Sequence, residues 1–209
     1  MENYAELMFQ GVVAELQKAD GSFDKFQTAY PHRTQKELSP DDIDFLRSRE
    51  SFYIASISTG GWPYIQHRGG PAGFVHVIGP ARIACADYRG NRQFITMGNL
   101  QIETRVSLFF MDYLRRARLK IQGQATLEKI EDADPDLVLK LNSEELPVER
   151  ILVIDIVGLD WNCPKYIPTL YSEVALRQII GPEIVKLKTE NETLKKELAT
   201  LREQREPEN

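Results

Sequence analysis

The spacing of apolar residues changes twice along the chain, and each change indicates a different kind of element. Before residue 50 the spacing is helical. Leu7, Val12 or Val13 and Leu16 recur on one face and Gly21 follows them, which predicts one amphipathic helix with a glycine stop. We therefore expect segment 1–38 to be helical.

A second helix is predicted by the sequence Ser39-Pro40-Asp41-Asp42. It supplies an N-cap serine, a proline in the first turn and an acidic residue three positions after the cap, and the helix should end near Glu50. From Ser51 the apolar period falls to two, which is typical of strands. The expected strands are 52–57, 62–68, 74–78, 82–86, 104–111, 116–127 and 150–158, with a helix from Gly90 to about Leu100 and another at 135–141. Many short strands with interspersed helices predict an α+β fold, a small, mostly antiparallel β-barrel over residues 39–170.

The C-terminal segment, 171–209, has a heptad pattern at about 182–203. The a positions are Ile184, Asn191 and Leu198, and the d positions are Leu187, Leu194 and Leu201. The g-to-e′ pairs Glu183–Lys188, Glu190–Lys195 and Glu197–Arg202 all join opposite charges. This pattern predicts a parallel two-stranded coiled coil, and the alternative is a single charged surface helix held by i,i+4 pairs.

The charge balance narrows the classes of partner. The 209 residues include 26 Lys and Arg against 31 Asp and Glu, a net charge of −5, which disfavours a nucleic-acid or anionic-membrane partner. No apolar run has the length of a membrane span, and the N-terminus does not resemble a signal peptide. Cys85 and Cys163 fit no metal or disulfide pattern and there are three histidines, so we expect a cytoplasmic protein without a metal site.

Residues 87–92 are the first candidate binding site. They follow a predicted strand and open a predicted helix, whose N-terminus would offer free N–H groups and positive charge. The permissive Gly90, the Asn91 amide and Arg92 add to a phosphate-binding site. The alternative is an ordinary capped helix with solvated arginines.

The second candidate is the stretch 66–70. Gln66 and Arg68 share one strand face, and Gly69 and Gly70 allow a planar ligand to approach the backbone. The alternative is a strand edge that runs into a tight turn. His67 lies on the opposite face, where a structural role is expected.

Two further groups are more ambiguous. On a strand, Arg116, Arg118 and Lys120 would face one way, as either a solvated face or an anion-binding surface. Trp161 and Lys165 belong to a segment that could line a cofactor pocket or close the barrel end. The chain has no nucleophile–base pair, Walker loop or GxGxxG motif, so catalytic residues stay unassigned.

Taken in order, these segments resemble the pyridoxamine 5′-phosphate oxidase-like flavin-binding proteins. The resemblance covers about residues 40–168 and is carried by Gln66-His67-Arg68-Gly69-Gly70, Gly90-Asn91-Arg92, residues 104–110 and 121–125, and Trp161-Asn162-Cys163-Pro164-Lys165. The last segment is similar to one in the flavin-nucleotide-binding branch of that superfamily. The resemblance implies a split β-barrel that forms a homodimer with FMN at the subunit interface.

The resemblance also implies roles for individual residues. Arg68 to Gly73 would lie along the FMN phosphate and ring edge, with Ala86 and Asp87 where the strand meets the flavin. Asn91 and Arg92 would bind the phosphate, Arg118 would reach the flavin from the other side of the barrel, and Trp161 would approach the ring from the second subunit. The complete set of expected cofactor-binding residues is Gln66, His67, Arg68, Gly69, Gly70, Ala86, Asp87, Gly90, Asn91, Arg92, Arg116, Arg118, Trp161 and Lys165.

The chain departs from the family pattern at the substrate site. Gly73-Phe74-Val75 stands where pyridoxamine phosphate oxidases carry a lysine, and no Arg-x-His element follows Trp161. We therefore expect an FMN-dependent oxidoreductase with an unidentified small-molecule substrate or electron donor. The alternatives are a non-catalytic flavin or haem module that recruits partners through its coiled coil, and a barrel without a cofactor.

Overall fold

The computed structural model describes residues 1–31, 34–141, 148–161 and 164–203, with only the backbone described at Glu203. Its helices are α1 (Tyr4–Met8), α2 (Val12–Asp20), α3 (Phe23–Ala29), α4 (Pro40–Arg47), α5 (Ile95–Leu100), α6 (Pro135–Leu141) and α7 (Glu173–Glu203). Its strands are β1 (Ser51–Ile57), β2 (Pro63–Gly69), β3 (Val75–Gly79), β4 (Arg82–Tyr88), β5 (Arg105–Asp112), β6 (Ala117–Lys129) and β7 (Val148–Trp161).

All seven strands belong to one antiparallel sheet with the order β2-β1-β5-β6-β7-β4-β3. The sheet curves around a main apolar core, as expected for the split β-barrel of an α+β fold, and a second apolar cluster joins α6 to β4 and β7. Period-two burial along the strands sends Phe52 and Ile54 of β1, Leu108 and Phe110 of β5, and Ile121 of β6 into this core. The predicted fold class is confirmed.

The pairing of β6 with β7 is irregular near Gly123. The pairing register shifts between Gln122 and Gly123. A Cβ on Gly123 would lie 2.8 Å from Ile154 Cγ2 and 2.9 Å from the Asp155 carbonyl oxygen. Only glycine allows the two long strands to approach this closely.

The predicted α4 helix is present, and its N-terminal signal is confirmed in detail. The Ser39 hydroxyl accepts a hydrogen bond from the Asp42 N–H, and the Asp42 carboxylate accepts one from the Ser39 N–H. The helix ends at Arg47, three residues before the predicted end. Asp42 also accepts a hydrogen bond from Trp161 Nε1 at 2.7 Å, which connects α4 to the end of β7.

The prediction of one N-terminal helix as far as Gly21 is wrong. Gly11 has a φ of 56°, outside the right-handed helical region, so α1 and α2 are separate helices. Gly21, with a φ of 78°, does end α2 as predicted. α1 lies against β7, where a Cβ on Gly158 would come within 2.7 Å of Leu7 Cδ1.

The chain divides into two compact units. One comprises Met1–Asp112 and Arg116–Ile167, and the other comprises Tyr113–Arg115 and Pro168–Asn209, of which residues up to 203 are described. The second unit contains α7, which is 31 residues long and includes Pro182. Its start is nine residues before the predicted coiled-coil segment.

Candidate functional site

An open cavity of about 230 Å³ lies where β2, β4, the following segment and α5 meet. Nine of the sequence-predicted residues line it: Gln66, His67, Arg68, Gly69, Ala86, Asp87, Gly90, Asn91 and Arg92. The two candidate segments, 66–70 and 87–92, are far apart along the chain, and the sheet brings them to one place. The last strand adds Glu149 and Arg150 to the same wall.

The lining of this cavity is positively charged although the whole chain is acidic. Four arginines line it (Arg68, Arg89, Arg92 and Arg150) against two carboxylates (Asp87 and Glu149). The side chains of the wall thus carry a net charge of about +2, whereas the chain carries −5. Concentrated positive charge in a concave site attracts anionic ligands.

Asp87 organises the centre of this wall. Its carboxylate accepts a hydrogen bond from Arg68 Nη1 and another from Arg150 Nε at 2.8 Å. The Asp87 side chain is only 8 % exposed, so its charge requires these partners. Arg68 Nε is buried and has no hydrogen-bond partner in the described part of the chain, which leaves one donor of this guanidinium available.

Arg150 is the site residue that sequence reasoning missed. It lies on β7 directly opposite Asp87 of β4. Because the pairing of two strands distant in sequence creates this contact, no local motif around Arg150 could have indicated it. Arg89 and Glu149 form a weaker ion pair at 3.9 Å beside it.

The loop after β4 is held over the cavity by α5. Thr96 Oγ1 donates a hydrogen bond to Gln66 Oε1 at 2.8 Å, and Asn99 Nδ2 donates one to Ser56 Oγ at 2.9 Å. Both bonds join α5 to the β1–β2 hairpin. The position of residues 89–94 therefore follows from polar contacts between α5 and the sheet.

The prediction that a helix opens at Gly90-Asn91-Arg92 is wrong. Arg92 and Phe94 have φ values of 62° and 55°, which a right-handed helix does not allow, so α5 begins only at Ile95. Arg92 is instead presented from a loop, with its guanidinium carbon 5.5 Å from the centre of the Phe94 ring. It is exposed and has no ion-pair partner among the described residues, so its charge is available to a ligand.

Gly70 has a packing role that the sequence did not indicate. It is not part of the cavity lining, and a Cβ at this position would lie 2.7 Å from Phe74 Cβ. Phe74 itself is buried, stacks on Phe52 with ring centres 5.7 Å apart, and lines the cavity. The absence of a side chain at Gly70 therefore allows Phe74 to form part of the wall.

The other four predicted residues do not line this cavity; they are Arg116, Arg118, Trp161 and Lys165. Arg116 is not on a strand face as expected, because its φ of 53° places it in the turn before β6. Its Nε donates to the Ile167 carbonyl oxygen at 3.0 Å. Arg118 is on β6 with a buried Nε that has no partner among the described residues.

The predicted cationic face of β6 is not a free anion surface. Lys120 pairs with Asp160 at 3.0 Å and its Nζ lies 4.6 Å from the centre of the Tyr4 ring, so it holds the N-terminal segment on the barrel. Trp161 ends β7 and packs edge-on against Phe45, while Lys165 is exposed with its Nζ above Tyr166. Asn162 and Cys163, which belong to the same predicted segment, lie outside the described residues.

Cys85 and His76 are titratable residues of the barrel that do not line this cavity. Burial raises the pKa of the Cys85 thiol to about 12, so this cysteine is a core residue and not a thiolate nucleophile at neutral pH. The pKa of His76 is lowered, first by burial and then by the positive charges of Lys140 and Arg47. His76 lines a second cavity, of about 820 Å³, between β3 and α6.

Solved structures with a similar fold include HupZ of Group A Streptococcus, at 10 % identity over 64 % of this chain and 99 % of that one, with a TM-score of 0.47. General Stress Protein 26 of Bacillus anthracis shows 12 % identity over 58 % and 91 % of the two chains, with a TM-score of 0.44. An FMN-binding protein from Syntrophomonas wolfei shows 13 % identity over 73 % and 98 %, with a TM-score of 0.41.

A search of curated proteins finds no match. Within the described ranges, every helix is too short or too polar to cross a bilayer. The family model for pyridoxamine 5′-phosphate oxidase matches residues 40–158, which is more than half of the chain and includes β1 to β6 and most of β7. The chain therefore belongs to the pyridoxamine 5′-phosphate oxidase family.

Proposed function

We propose that the chain is an FMN-dependent oxidoreductase that binds FMN in the cavity between β2, β4 and α5 and acts as a homodimer. The observation that carries this proposal is the positively charged wall of that cavity in an acidic member of this family. FMN requires a dianion site, a flat slot and hydrogen bonds to its ring edge. The cavity offers groups suited to each requirement.

The phosphate requirement is met by groups that have no counter-charge. Arg92 has no carboxylate partner in the described part of the chain, and Asn91 lines the cavity beside it. A guanidinium without a protein partner is well suited to a phosphate, because it offers two parallel donors to two oxygens. We assign Arg92 and Asn91 to the phosphate end.

The ring requirement is met on the opposite wall. Ala86 contributes a small side chain, and Gly69 leaves the backbone of β2 accessible. The unpartnered Nε of Arg68 and the Gln66 amide supply polar groups along the edge. We assign this wall to the isoalloxazine ring, which supplies the hydride- and electron-transfer chemistry when FMN is bound.

The size of the cavity supports a homodimer. At about 230 Å³ it is smaller than the roughly 300–1,000 Å³ typical of sites for ligands of this size. Phe94 and Ile95 line its mouth and remain exposed on one chain. A second copy that covers these side chains would complete the site, and Arg118, Trp161 and Lys165 are the residues we expect it to involve.

The substrate is proposed to differ from pyridoxamine phosphate. Phe74 lies in the cavity wall next to Gly73, where the family pattern has a lysine for the substrate phosphate. An aromatic ring at that place cannot bind a dianion. An uncharged or apolar substrate group fits this part of the wall better.

The first test is the visible absorption spectrum of the purified protein after addition of FMN and removal of the excess. We expect a flavin spectrum at about one FMN per chain. Arg92→Ala should raise the dissociation constant for FMN roughly tenfold to a hundredfold, the effect of losing a charged hydrogen bond. Arg47→Ala is the matched control, because Arg47 is an exposed arginine that does not line this cavity. Protein that retains no FMN, or a haem-type spectrum, would contradict the proposal.

The catalytic part needs its own test. We expect FMN-loaded protein to oxidise NADH or NADPH, or another member of a broad panel of electron donors, with dioxygen or a dye as acceptor. Failure with every donor, by protein that holds stoichiometric FMN, would favour the non-catalytic binding module. The observation that keeps this second candidate is the long exposed helix α7, which a simple oxidase does not require.

A further inference from the structure

Helix α7 exposes an apolar stripe at heptad spacing. In register with Ile184 at position a, the preceding d position is Ile180, so the a and d positions read Ile180, Ile184, Leu187, Asn191, Leu194, Leu198 and Leu201. The six apolar side chains of this series are 43–61 % exposed. Exposure of a continuous apolar stripe to water is unfavourable, so we expect another surface to cover it.

We infer that α7 pairs in parallel and in register with α7 of a second copy of this chain, and that this pairing holds the two barrels together. The pairing itself stands on the residues of α7. Its effect on FMN retention rests on the function proposed above.

The flanking charges select both the partner and the direction. From Ile180 to Arg202, all three g positions are acidic (Glu183, Glu190 and Glu197), and the three e positions after Gly181 are basic (Lys188, Lys195 and Arg202). Parallel helices place g opposite e′, so a second copy forms attractive pairs only. Antiparallel helices place g opposite g′ and e opposite e′, which would set acid against acid and base against base.

Two further residues favour a two-stranded pair. Asn191 is the single polar residue in the stripe, and an asparagine at a central a position selects a parallel dimer in one register. Pro182 occupies an f position, on the side of the helix away from the stripe. The backbone hydrogen bond that this proline cannot make is therefore lost on the outer face.

The pairing has a consequence for the barrel. Once two helices are joined, the attached barrels have an effective concentration in the millimolar range, set by the connecting segment. Two half-sites of the proposed kind would then stay assembled at protein concentrations where separate barrels would dissociate. We therefore expect α7 to slow the loss of FMN on dilution.

Disulfide cross-linking of the full-length chain tests the pairing and its direction. Leu201→Cys places a thiol at a d position near the C-terminal end, and Ala199→Cys places one at a neighbouring b position outside the stripe. Both are made with Cys163→Ser, and the parent carrying that change sets the baseline. Parallel pairing brings residue 201 next to its counterpart, so Leu201→Cys should cross-link at least tenfold faster than Ala199→Cys. Equal rates would overturn the inference, and so would cross-linking only between Leu201→Cys and Ile184→Cys, because antiparallel helices pack a d position against an a′ position.

Charge exchange tests the choice of partner. In the Leu201→Cys chain, Glu190→Lys with Glu197→Lys should lower cross-linking by on the order of tenfold to a hundredfold, because two of the three attractive pairs become repulsive. The complementary chain with Lys195→Glu and Arg202→Glu should lose cross-linking to the same extent. Co-expression of the two chains should restore it as a mixed dimer. Undiminished cross-linking of either chain alone would overturn the assignment.

The effect on FMN is measured separately. FMN-loaded parent and the Glu190→Lys, Glu197→Lys chain are diluted, and flavin release is followed by fluorescence. We expect faster and more complete release from the charge variant, with equal FMN content before dilution. Identical release would overturn the effect on FMN and leave the pairing to the cross-linking result. If neither protein binds FMN, the proposed function fails, and cross-linking still decides whether the helices pair.

Discussion

At the scale of single residues, the cavity wall depends on one carboxylate. Asp87 lies between Arg68 and Arg150, and all three side chains are at most 23 % exposed. Two guanidinium groups held this close together repel each other unless a negative charge lies between them. Asp87 therefore has a structural role in a site whose ligand we expect to be an anion.

Asp87→Asn should lower the free energy of unfolding by roughly 2–4 kcal/mol, because it leaves two partly buried cations without their shared counter-charge. Urea unfolding measures this loss. Asp155→Asn is the control: Asp155 pairs with Arg82 at 3.1 Å on the surface, where its side chain is 60 % exposed. The control should change stability by less than about 1 kcal/mol. Equal losses in the two variants would contradict the role assigned to Asp87.

Glycines in the two candidate segments have different roles. A methyl group at Gly70 would overlap Phe74, whereas a Cβ at Gly90 would have no neighbouring atom within 4 Å. Gly70→Ala should therefore destabilise the fold by roughly 1–3 kcal/mol, the cost of overpacking. Gly90→Ala should stay within about 0.5 kcal/mol of the parent. Thermal unfolding of both compares them directly, and a stable Gly70→Ala protein would show that Phe74 can move aside.

At the scale of elements, sequence motifs predicted the structure correctly where it depends on residues that are neighbours in sequence. The capping box of α4, the alternation along β1 and the glycine end of α2 were all predicted, and all are confirmed. The start of α5 was not, because it depends on two residues with positive φ and on hydrogen bonds from the helix to distant strands. The prediction that Asn91 and Arg92 lie at a helix N-terminus is therefore wrong, although both residues do line the cavity, from a loop.

The cap of α4 offers a test at this scale. Ser39→Ala removes the side chain that bonds the Asp42 N–H and donates to its carboxylate at 2.7 Å. We expect the free energy of unfolding of the barrel to fall by about 1 kcal/mol. Ser172→Ala removes the equivalent serine from the start of α7, whose hydroxyl accepts from the Ala175 N–H at 3.2 Å. Because α7 belongs to the other compact unit, this control should leave the unfolding of the barrel unchanged.

At the scale of the whole molecule, we expect the two compact units to contribute separately to the stability of the protein. The buried apolar residues of the described chain all lie between Tyr4 and Ile167, so α7 adds none to the core. A core of this kind unfolds as one cooperative unit. The expected domain boundaries, at residues 38 and 170, remain predictions about independent folding.

A chain that ends at Leu170 should therefore keep the barrel. At concentrations high enough for barrels to associate without α7, we expect its thermal midpoint within about 3 °C of the full chain, a difference of less than roughly 1 kcal/mol. Circular dichroism should show a loss of helix only. A molten or aggregated product would show that residues 171–209 are needed for the barrel to fold.

The amino-acid sequence by itself determined what depends on short range: the strand alternation, the helix cap and the heptads of α7. The family resemblance also came from short segments in a fixed order, and the family is confirmed. Tertiary structure alone decided that Arg150 faces Asp87, that Phe74 fills the space beside Gly70, and that Arg116 lies in a turn. The physical reason is that each arrangement depends on a partner distant in sequence. Arg150 pairs with Asp87 across two strands. Phe74 stacks on Phe52, and Arg116 donates to the Ile167 carbonyl oxygen.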